Sequence, residues 1–341
     1  MMSADTNKQS FSKRIGTNVP TKAPKISVVI PAYNAAEFIG EAIDSVRAQK
    51  YTEYEIIVVN DGSPDTDRLE RVIRARREDI VYITQENAGA GVARNTAIEH
   101  ARGDLIAFLD GDDVWLPDFL VSQFVFMQSG GYDMVYCDAY LFGMNSAYRR
   151  TFMETAPSDG EANFDSILDQ QCSVITSGTI ARKQVLIDAG SFETERVRAH
   201  DFHLWLRLAK RGARIGYQRK QLVKYRVSAN GLSGDSISRV EREIDAYHRV
   251  RRTIELTASQ QRIVERRIAG LESDLAVEQG KAFLLGGDYR EAVIAFRVAN
   301  HHRRSLKLTA VTWLTRLAPR ALVKIYRSNR RSEIPLVPTH S

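Results

Sequence analysis

Three carboxylates crowd together at the end of an apolar run in the middle of the chain. Asp110, Asp112 and Asp113 follow the strand-like residues 105–109, and Gly111 separates the first two acids. Hard divalent cations such as Mg²⁺ and Mn²⁺ take oxygen ligands, and Mg²⁺ is commonly bound by one or two carboxylates together with a substrate's phosphates. Gly111 allows a tight turn, so both Asp110 and Asp112 can reach one ion. This Asp-x-Asp spacing predicts a metal site for a phosphate-bearing substrate, and an acidic turn is the alternative.

The residues before the acid cluster alternate between strand and helix patterns. Apolar and β-branched runs predict strands at residues 25–30, 55–59, 80–84 and 105–109. Helical spacing between them predicts three helices, the first with Asn34 as its N-cap. Strict alternation implies parallel strands, right-handed crossovers and helices that flank the sheet. The sequence therefore predicts an α/β fold with a mainly parallel sheet.

The unusual residues of this half fall where its predicted strands end. They are the segment Pro31–Tyr33 after the first strand, Asp61 after the second, and the acid cluster after the fourth. Ligands of open α/β sheets bind outside the carboxyl ends of the strands. A dinucleotide fingerprint would need three glycines directly after the first strand. The glycine-rich residues 89–91 come much later, so the pattern does not favour a dinucleotide site.

Later segments supply the other half of the predicted site. Further strands are predicted at residues 132–137 and 174–181, and the polar stretch 151–170 between them is a candidate acceptor loop. Residues 200–208 carry an apolar stripe at helical spacing, with Asp201 near the helix start. The helix dipole favours a carboxylate there, so Asp201 is either a helix cap or a catalytic group.

Four ordered motifs resemble those of glycosyltransferase family 2, whose members have the GT-A fold. They are Ser27–Asn34, Val58–Ser63, Asn87–Gly89 leading into Ala93–Asn95, and Phe108–Asp113. The resemblance covers about two thirds of the chain, from residue 25 to residue 233, and four motifs in order are more specific than any one alone. It implies a Rossmann-like GT-A fold and an enzyme that binds a nucleotide sugar.

The resemblance also implies roles for individual residues on the donor side. Pro31, Ala32 and Tyr33 would line the nucleoside pocket, where Tyr33 offers a face for stacking. Asp61 would accept a hydrogen bond from the base, and Arg94 would lie near the nucleotide.

For the reaction itself, the resemblance implies that Asp110 and Asp112 hold the Mn²⁺ or Mg²⁺ that bridges the diphosphate. Asp201 would act as general base in a direct displacement that inverts the anomeric carbon. Two residues depart from the family pattern. His200 stands where the family usually has Glu, and Ser228 stands near a position that is often His.

The prediction is therefore a metal-dependent, inverting transferase. It would move a sugar from a nucleotide sugar, with a UDP-sugar favoured, to a surface glycan or a lipid-linked saccharide. A protein that binds the donor without turnover is an alternative that the departures at His200 and Ser228 leave open. A nucleotidyltransferase is less favoured, because the chain lacks a glycine-rich phosphate loop after the first strand.

Composition along the chain also predicts where the domains begin and end. Residues 1–24 predict a disordered tail, residues 25–234 the catalytic domain, residues 235–332 a helical region, and residues 333–341 a second tail. No apolar run approaches the roughly 18 residues that suggest a membrane-spanning helix, so we expect a cytoplasmic enzyme. Cys137 and Cys172 are predicted to be buried free thiols of a reducing compartment.

The helical region is predicted to include a basic amphipathic helix. Residues 292–332 contain no Asp or Glu and ten Lys and Arg residues, whereas the formal net charge of the whole chain is +6. Apolar residues align on one face, with basic residues opposite. The apolar set is Leu306, Ala310, Trp313, Leu317, Leu322 and Ile325, and the basic set is Arg320, Lys324 and Arg327. Such a helix suits an anionic membrane surface. Docking on the catalytic domain is the alternative, and nucleic acid is not an expected partner, because no recognition fold accompanies the charge.

Overall fold

The computed structural model describes residues 11–15, 23–76, 80–143, 150–159, 161–194, 199–227 and 236–330 of the chain. These residues form two compact units, one that ends at Val227 and one made of the helices that follow. Each unit is described by itself below.

The first unit is built on one large sheet with helices beside it. Its strands are β1 (Phe11–Ile15), β2 (Ile26–Ala32), β3 (Tyr54–Asp61), β4 (Ile80–Gln85), β5 (Leu105–Phe108), β6 (Val114–Trp115), β7 (Met134–Gly143), β8 (Glu161–Ala162), β9 (Thr179–Arg182) and β10 (Ile215–Val227). Its helices are α1 (Ile39–Arg47), α2 (Thr66–Arg74), α3 (Ala90–His100), α4 (Phe119–Gly130), α5 (Phe164–Leu168), α6 (Lys183–Asp188) and α7 (His200–Lys210). Short 3₁₀ turns lie at Phe152–Glu154 and Thr176–Gly178.

Four neighbouring strands of the sheet are parallel to one another. The order is β1-β4-β3-β2-β5-β9-β7-β10-β6, and β8 pairs with β10. Strands β4, β3, β2 and β5 run parallel, as the strand-helix alternation predicts, and β7 is parallel to β10. Strands β2 and β3 are buried along nearly their whole length, which is typical of parallel strands covered on both faces. Because β3, β2 and β5 are neighbours, the residues after their carboxyl ends meet at one edge of the sheet.

Three details differ from the sequence predictions. Residues Phe11–Ile15 form a strand that pairs antiparallel with β4, although a disordered tail is predicted for residues 1–24. This pairing supplies backbone partners to β4, which would otherwise be an edge strand. The predicted strand 174–181 begins with a 3₁₀ turn and is extended only from Thr179. Asn34 has a φ of 52° in the preceding loop, and α1 begins five residues later.

The core of the first unit includes both thiols. Cys137 and Cys172 are buried and free, as predicted. Phe108, at the end of β5, packs edge-on against Phe192 and Trp205, with ring centroids 5.5 Å and 6.2 Å away. Trp205 belongs to α7, so this aromatic group anchors the strand before the acid cluster to the helix that carries Asp201.

The described part of the second unit, residues 236–330, consists of five helices. They are α8 (Ser236–Thr253), α9 (Ala258–Gly286), α10 (Tyr289–Arg303), α11 (Leu306–Leu317) and α12 (Pro319–Arg330). Its core is formed by Leu284, Ala292 and Phe296, and Leu308 and Leu322 are among the partly buried residues packed against it. Leu322 therefore packs inward and does not extend the exposed stripe predicted from the sequence. Among the described residues, no helix is both long and apolar enough to span a membrane.

Candidate active site

The acid cluster lies in the loop after β5, at the carboxyl edge of the parallel strands. The backbone N–H of Asp110 donates a hydrogen bond to Ser177 Oγ at 3.1 Å, and Asp110 Oδ1 forms an ion pair with Arg94 Nη2. The Arg94 side chain is almost completely buried, and its Nη1 lies 2.6 Å from His200 Nε2. The structure thus brings the predicted residues Arg94 and Asp110 together, with His200 beside them.

The carboxyl groups of Asp112 and Asp113 are largely shielded from solvent, which raises their pKa values. Burial and the nearby Asp110 carboxylate raise the pKa of Asp112 to about 6. Burial, together with the Asp112 and Asp110 carboxylates, raises the pKa of Asp113 well above its ordinary value. Asp113 Oδ1 also accepts a hydrogen bond from the backbone N–H of Arg226 at 2.8 Å. A divalent cation bound to Asp110 and Asp112 would relieve the repulsion that raises these pKa values.

Asp201 is buried in the first turn of α7. Its Oδ1 accepts a hydrogen bond from the backbone N–H of Phe202 at 2.8 Å, which is a contact that a helix-capping role would also give. Its Oδ2 accepts a hydrogen bond from Thr176 Oγ1 at 3.0 Å. Since Ser177 accepts from Asp110, the adjacent residues Thr176 and Ser177 hold the predicted base and a predicted metal ligand in one site.

Tyr225 on β10 lies among the same carboxylates. Burial raises the pKa of Tyr225 well above its ordinary value, and Asp113, Asp110, Asp112 and Asp201 add to this effect in that order. All four carboxylates therefore affect the pKa of the same phenol, which indicates that they lie in one region of the site. The resemblance extends over Tyr225 but implies no role for it, because the position of Tyr225 depends on how β10 pairs within the sheet.

The start of the candidate acceptor loop lies beside this region. The ring of Phe152 contacts that of Tyr225, with the centroids 5.6 Å apart. Asp138 on β7 holds the same turn, because its Oδ1 accepts a hydrogen bond from the backbone N–H of Met153 at 3.0 Å. The first residues of the predicted loop 151–170 therefore lie beside the acid cluster.

Asp61 lies at the end of β3 and is already engaged by the protein. Its Oδ1 accepts hydrogen bonds from Gln85 Nε2 at 2.7 Å and the backbone N–H of Ala88 at 2.8 Å. Its Oδ2 accepts one from the backbone N–H of Gly89 at 2.8 Å. Gly89 has a φ of 94°, a conformation that favours glycine. A carboxylate has about four acceptor positions, so three bonds leave room for a nucleobase donor.

The loop after β2 presents an aromatic face. Tyr33 is 55% exposed, whereas Ala32 is buried and Pro31 is half-buried at the end of the strand. An exposed ring at a strand end can stack on a base, which is the role that the motif resemblance implies for Tyr33.

Two residues that the sequence reasoning missed hold this loop in place. Ser63 Oγ accepts a hydrogen bond from the backbone N–H of Asn34 at 2.7 Å, and Asp65 Oδ2 accepts one from that of Ala36 at 2.9 Å. Ser and Asp are common turn residues, so the sequence indicates a turn here but not the distant backbone that it binds.

Arg226 lies within the resemblance, which extends to residue 233, but the resemblance implies no role for it. Its guanidinium lies between two rings, 4.4 Å from the centroid of Phe38 and 4.3 Å from that of Phe142. Its Nε donates to the backbone carbonyl of Asp112, and its Nη2 donates to Glu41 Oε2, both at 2.8 Å. Arg226 therefore joins the end of β10 to the acid loop and to α1.

The donor set fits a divalent metal that a substrate helps to hold. Within the described ranges, no group of three or more His, Cys, Asp or Glu side chains is arranged to hold an ion by itself. Asp110 and Asp112 supply two carboxylates, and Mg²⁺ is typically bound by one or two together with substrate phosphates. Ser228, the second departure from the family pattern, lies outside the described residues.

Comparison with known proteins identifies the family. The model of glycosyl transferase family 2 matches residues 27–190. TuaG of Bacillus subtilis (strain 168), whose name describes a teichuronic acid biosynthesis glycosyltransferase, is 30% identical over 233 residues, which are 67% of this chain and 89% of TuaG. The chain belongs to glycosyltransferase family 2. The motif resemblance is thereby confirmed, and the chain is a glycosyltransferase with relatives in surface polysaccharide biosynthesis.

A further relative and two solved structures are also similar to this chain. The UDP-Glc:α-D-GlcNAc-diphosphoundecaprenol β-1,3-glucosyltransferase WfgD of Escherichia coli is 30% identical over 225 residues, which are 64% of this chain and 84% of WfgD. The crystal structure of S. aureus TarS 1–349 with UDP has a TM-score of 0.55 and 19% identity, and the match covers 82% of this chain and 91% of TarS 1–349. The mannosyltransferase PcManGT of Pyrobaculum calidifontis, solved with GDP-Man and Mn²⁺, has a TM-score of 0.58 and 21% identity over 93% of this chain and 86% of PcManGT. These likenesses confirm the GT-A fold.

Proposed function

We propose that this family 2 glycosyltransferase moves a sugar from a UDP-sugar to a glycan or lipid-linked saccharide acceptor, with inversion, at the cytoplasmic face of the membrane. The observation that carries the proposal is the bridge formed by Thr176 and Ser177. It holds Asp201 and Asp110 at one edge of the sheet, so a proton acceptor and a metal ligand lie in the same site.

In this proposal Asp201 removes the proton from an acceptor hydroxyl that approaches from the side of loop 151–170. Asp110 and Asp112 would hold Mn²⁺ or Mg²⁺, which neutralises charge on the departing nucleotide diphosphate. Arg94, which forms a buried ion pair with Asp110, would contact the same diphosphate. Tyr33 and Asp61 orient the nucleoside by stacking and by a hydrogen bond.

The names of similar proteins support the choice of donor and acceptor. WfgD is named for a UDP-glucose donor and a diphosphoundecaprenol-linked acceptor. TarS 1–349 has been solved with UDP and with UDP-GlcNAc, although PcManGT was solved with GDP-Man. We therefore favour uridine over guanosine for this chain and a lipid-linked acceptor over a soluble sugar.

A thermal-shift screen of nucleotide sugars with and without Mn²⁺ tests the donor assignment. A ligand that binds only the folded state adds about 2.7 kcal/mol at about 100 times its Kd. We therefore expect UDP-sugars to raise the melting temperature by several degrees when Mn²⁺ is present, and by less when it is absent. Stabilisation by GDP-sugars alone would contradict the uridine assignment, and shifts that ignore Mn²⁺ would contradict the metal's role.

We also propose that the second unit contacts an anionic membrane through α11. Leu306 is 87% exposed and Leu317 is 74% exposed, so these two residues of the predicted stripe are little used for packing among the described residues. Partial burial of such side chains in the interface adds to the attraction of the basic residues, which is worth about 1 kcal/mol each near an anionic surface.

The double substitution Leu306→Ser with Leu317→Ser is expected to weaken binding to anionic vesicles by tenfold or more. Burying a Leu side chain fully is worth about 1.5–3 kcal/mol, and partial burial of two gives roughly that amount. Co-sedimentation with phosphatidylglycerol vesicles measures the effect. Val125→Ser with Ile187→Ser is the matched control, since both residues are exposed on the catalytic unit. Equal sedimentation of the two variants would contradict the proposed contact.

A further inference from the structure

A cavity of about 330 Å³ opens between α10 and α11 in the helical unit. Arg297, Asn300 and His301 line it from α10, and Thr309, Thr312, Trp313 and Arg316 line it from α11. In each helix these residues are spaced by three and four positions, so one face of each helix forms a wall. The proposed catalytic reaction uses none of them.

The charge around the cavity is positive and uncompensated. Arg297 and Arg316 are exposed, and no ion pair with a carboxylate joins either of them to the rest of the described chain. Residues 292–332 contain ten Lys and Arg and no Asp or Glu. Two guanidinium groups that face one cavity favour a phosphate, because each planar fork matches phosphate oxygens in a bidentate way.

Exposed apolar side chains occur on the same two helices. On α10, Ile294 and Val298 are exposed, three positions before and one position after Arg297. On α11, Leu317 is exposed beside Arg316, and Trp313 itself is 57% exposed. Trp residues favour the boundary between water and lipid, where an apolar ring and a polar N–H are both accommodated. A small free anion would gain nothing from these apolar neighbours.

We propose that this cavity binds the phosphate of an anionic phospholipid headgroup, with Arg297 and Arg316 as its main donors. The inference rests on the membrane contact proposed above and adds a defined site to it. In this arrangement the phosphate lies between the two guanidinium groups, and the exposed apolar residues of α10 and α11 contact the upper acyl chains. The contact therefore involves the hairpin of α10 and α11 and extends beyond the single amphipathic helix that the sequence indicates.

The test compares two double variants of the full chain that lose the same charge. Arg297→Gln with Arg316→Gln removes the cavity's donors, whereas Lys307→Gln with Arg320→Gln removes two exposed charges that do not line it. Either variant loses two positive charges that attract an anionic surface. Because each is worth about 1 kcal/mol, binding to phosphatidylglycerol vesicles should weaken by up to about thirtyfold in both variants. We expect the cavity variant to bind at least about tenfold more weakly than the control variant. Equal affinities would overturn the proposal.

Trp313 gives an independent readout of the cavity. Trp115 and Trp205 are buried, so a fluorescence change on ligand binding reports mainly on Trp313. We expect phosphatidylglycerol vesicles to shift this emission to shorter wavelength in the native chain and the control variant, and to shift it much less in the cavity variant. A full response to inorganic phosphate alone, without a further response to vesicles, would overturn the assignment to a lipid headgroup.

The glycosyltransferase proposal can be judged separately in the same samples. Both variants should keep the native melting temperature and the native response to UDP-sugar with Mn²⁺, because neither substitution is in the catalytic unit. Loss of that response in the native chain would count against the donor assignment and would leave the vesicle comparison unaffected.

Discussion

Replacement of Asp201 by Asn is expected to lower the rate of sugar transfer by roughly 10²- to 10⁴-fold, the usual scale of a general base. Asn keeps the shape of the side chain, and its oxygen can still accept the hydrogen bond from Thr176 Oγ1 or from the N–H of Phe202. Donor and metal affinity should therefore stay close to native. Transfer kinetics and titration of UDP-sugar with Mn²⁺ measure the two quantities separately.

The control for this experiment is Asp165→Asn, which also removes a carboxylate from the first turn of a helix. Asp165 is exposed on α5, so transfer by this variant should stay near native. His200→Ala should cost less transfer than Asp201→Asn, unless His200 is the base. Near-native transfer by Asp201→Asn would contradict the base assignment, and simple unfolding of that variant would favour the helix-cap role. Normal donor binding with no transfer in the native chain would favour the alternative of a protein that only binds the donor.

Asp112→Asn is expected to lower turnover by roughly 10³-fold or more and to remove the metal-dependent part of UDP affinity. Metal stabilisation of the leaving diphosphate contributes several kcal/mol, and about 1.4 kcal/mol corresponds to a factor of ten. Calorimetric titration of UDP with and without Mn²⁺ measures the affinity. Treatment of the native enzyme with a chelator should have the same effect and should be reversed by added Mn²⁺.

Loss of metal binding can be separated from loss of folding. Because the pKa of Asp112 is raised to about 6, its stabilising protonated form is lost as the pH rises through that value, and the charged form opposes folding at pH 7. The metal-free Asn variant should therefore be at least as stable as the native chain in thermal unfolding at pH 7. Asp118→Asn, which removes an exposed carboxylate between β6 and α4, is the matched control and should keep metal-dependent affinity. Native turnover by Asp112→Asn in Mn²⁺ would show that Asp112 is not a metal ligand.

The sequence predicted those features of the fold and the site that depend on patterns within short segments. Strands that are buried on both faces appear in the sequence as short continuous apolar runs, and this pattern was sufficient to predict the four parallel strands. A helix that is buried on one face shows apolar residues at helical spacing, and this pattern was sufficient to predict α7. The motifs also marked Asp61, Asp110 and Asp112 as strand-end residues. The motifs could not predict which residues from distant parts of the chain are in contact. The contacts of Arg94 with Asp110 and of Thr176 with Asp201 join different elements, and no spacing along the chain encodes them.

The mistaken details have the same origin. The strand Phe11–Ile15 is short and polar, and it is ordered by pairing with β4, which is a tertiary contact. Leu322 satisfies the amphipathic pattern of a surface helix, but it is partly buried against the core of the helical unit. The raised pKa of Asp113 likewise depends on burial and on two neighbouring carboxylates, so residue type alone does not reveal it.

The clamp made by Arg226 has a consequence for how the enzyme is made. Its partner Glu41 is 185 positions earlier in the chain, and its partner Asp112 is 114 positions earlier. During synthesis, β2, β3 and β5 leave the ribosome long before β10, and closure of such a long loop is slow. The contact that ties the acid loop to β10 therefore forms only at the end of translation of the catalytic unit. A nascent chain that stops before residue 226 would contain the acid loop and α1 but would lack the side chain that joins them.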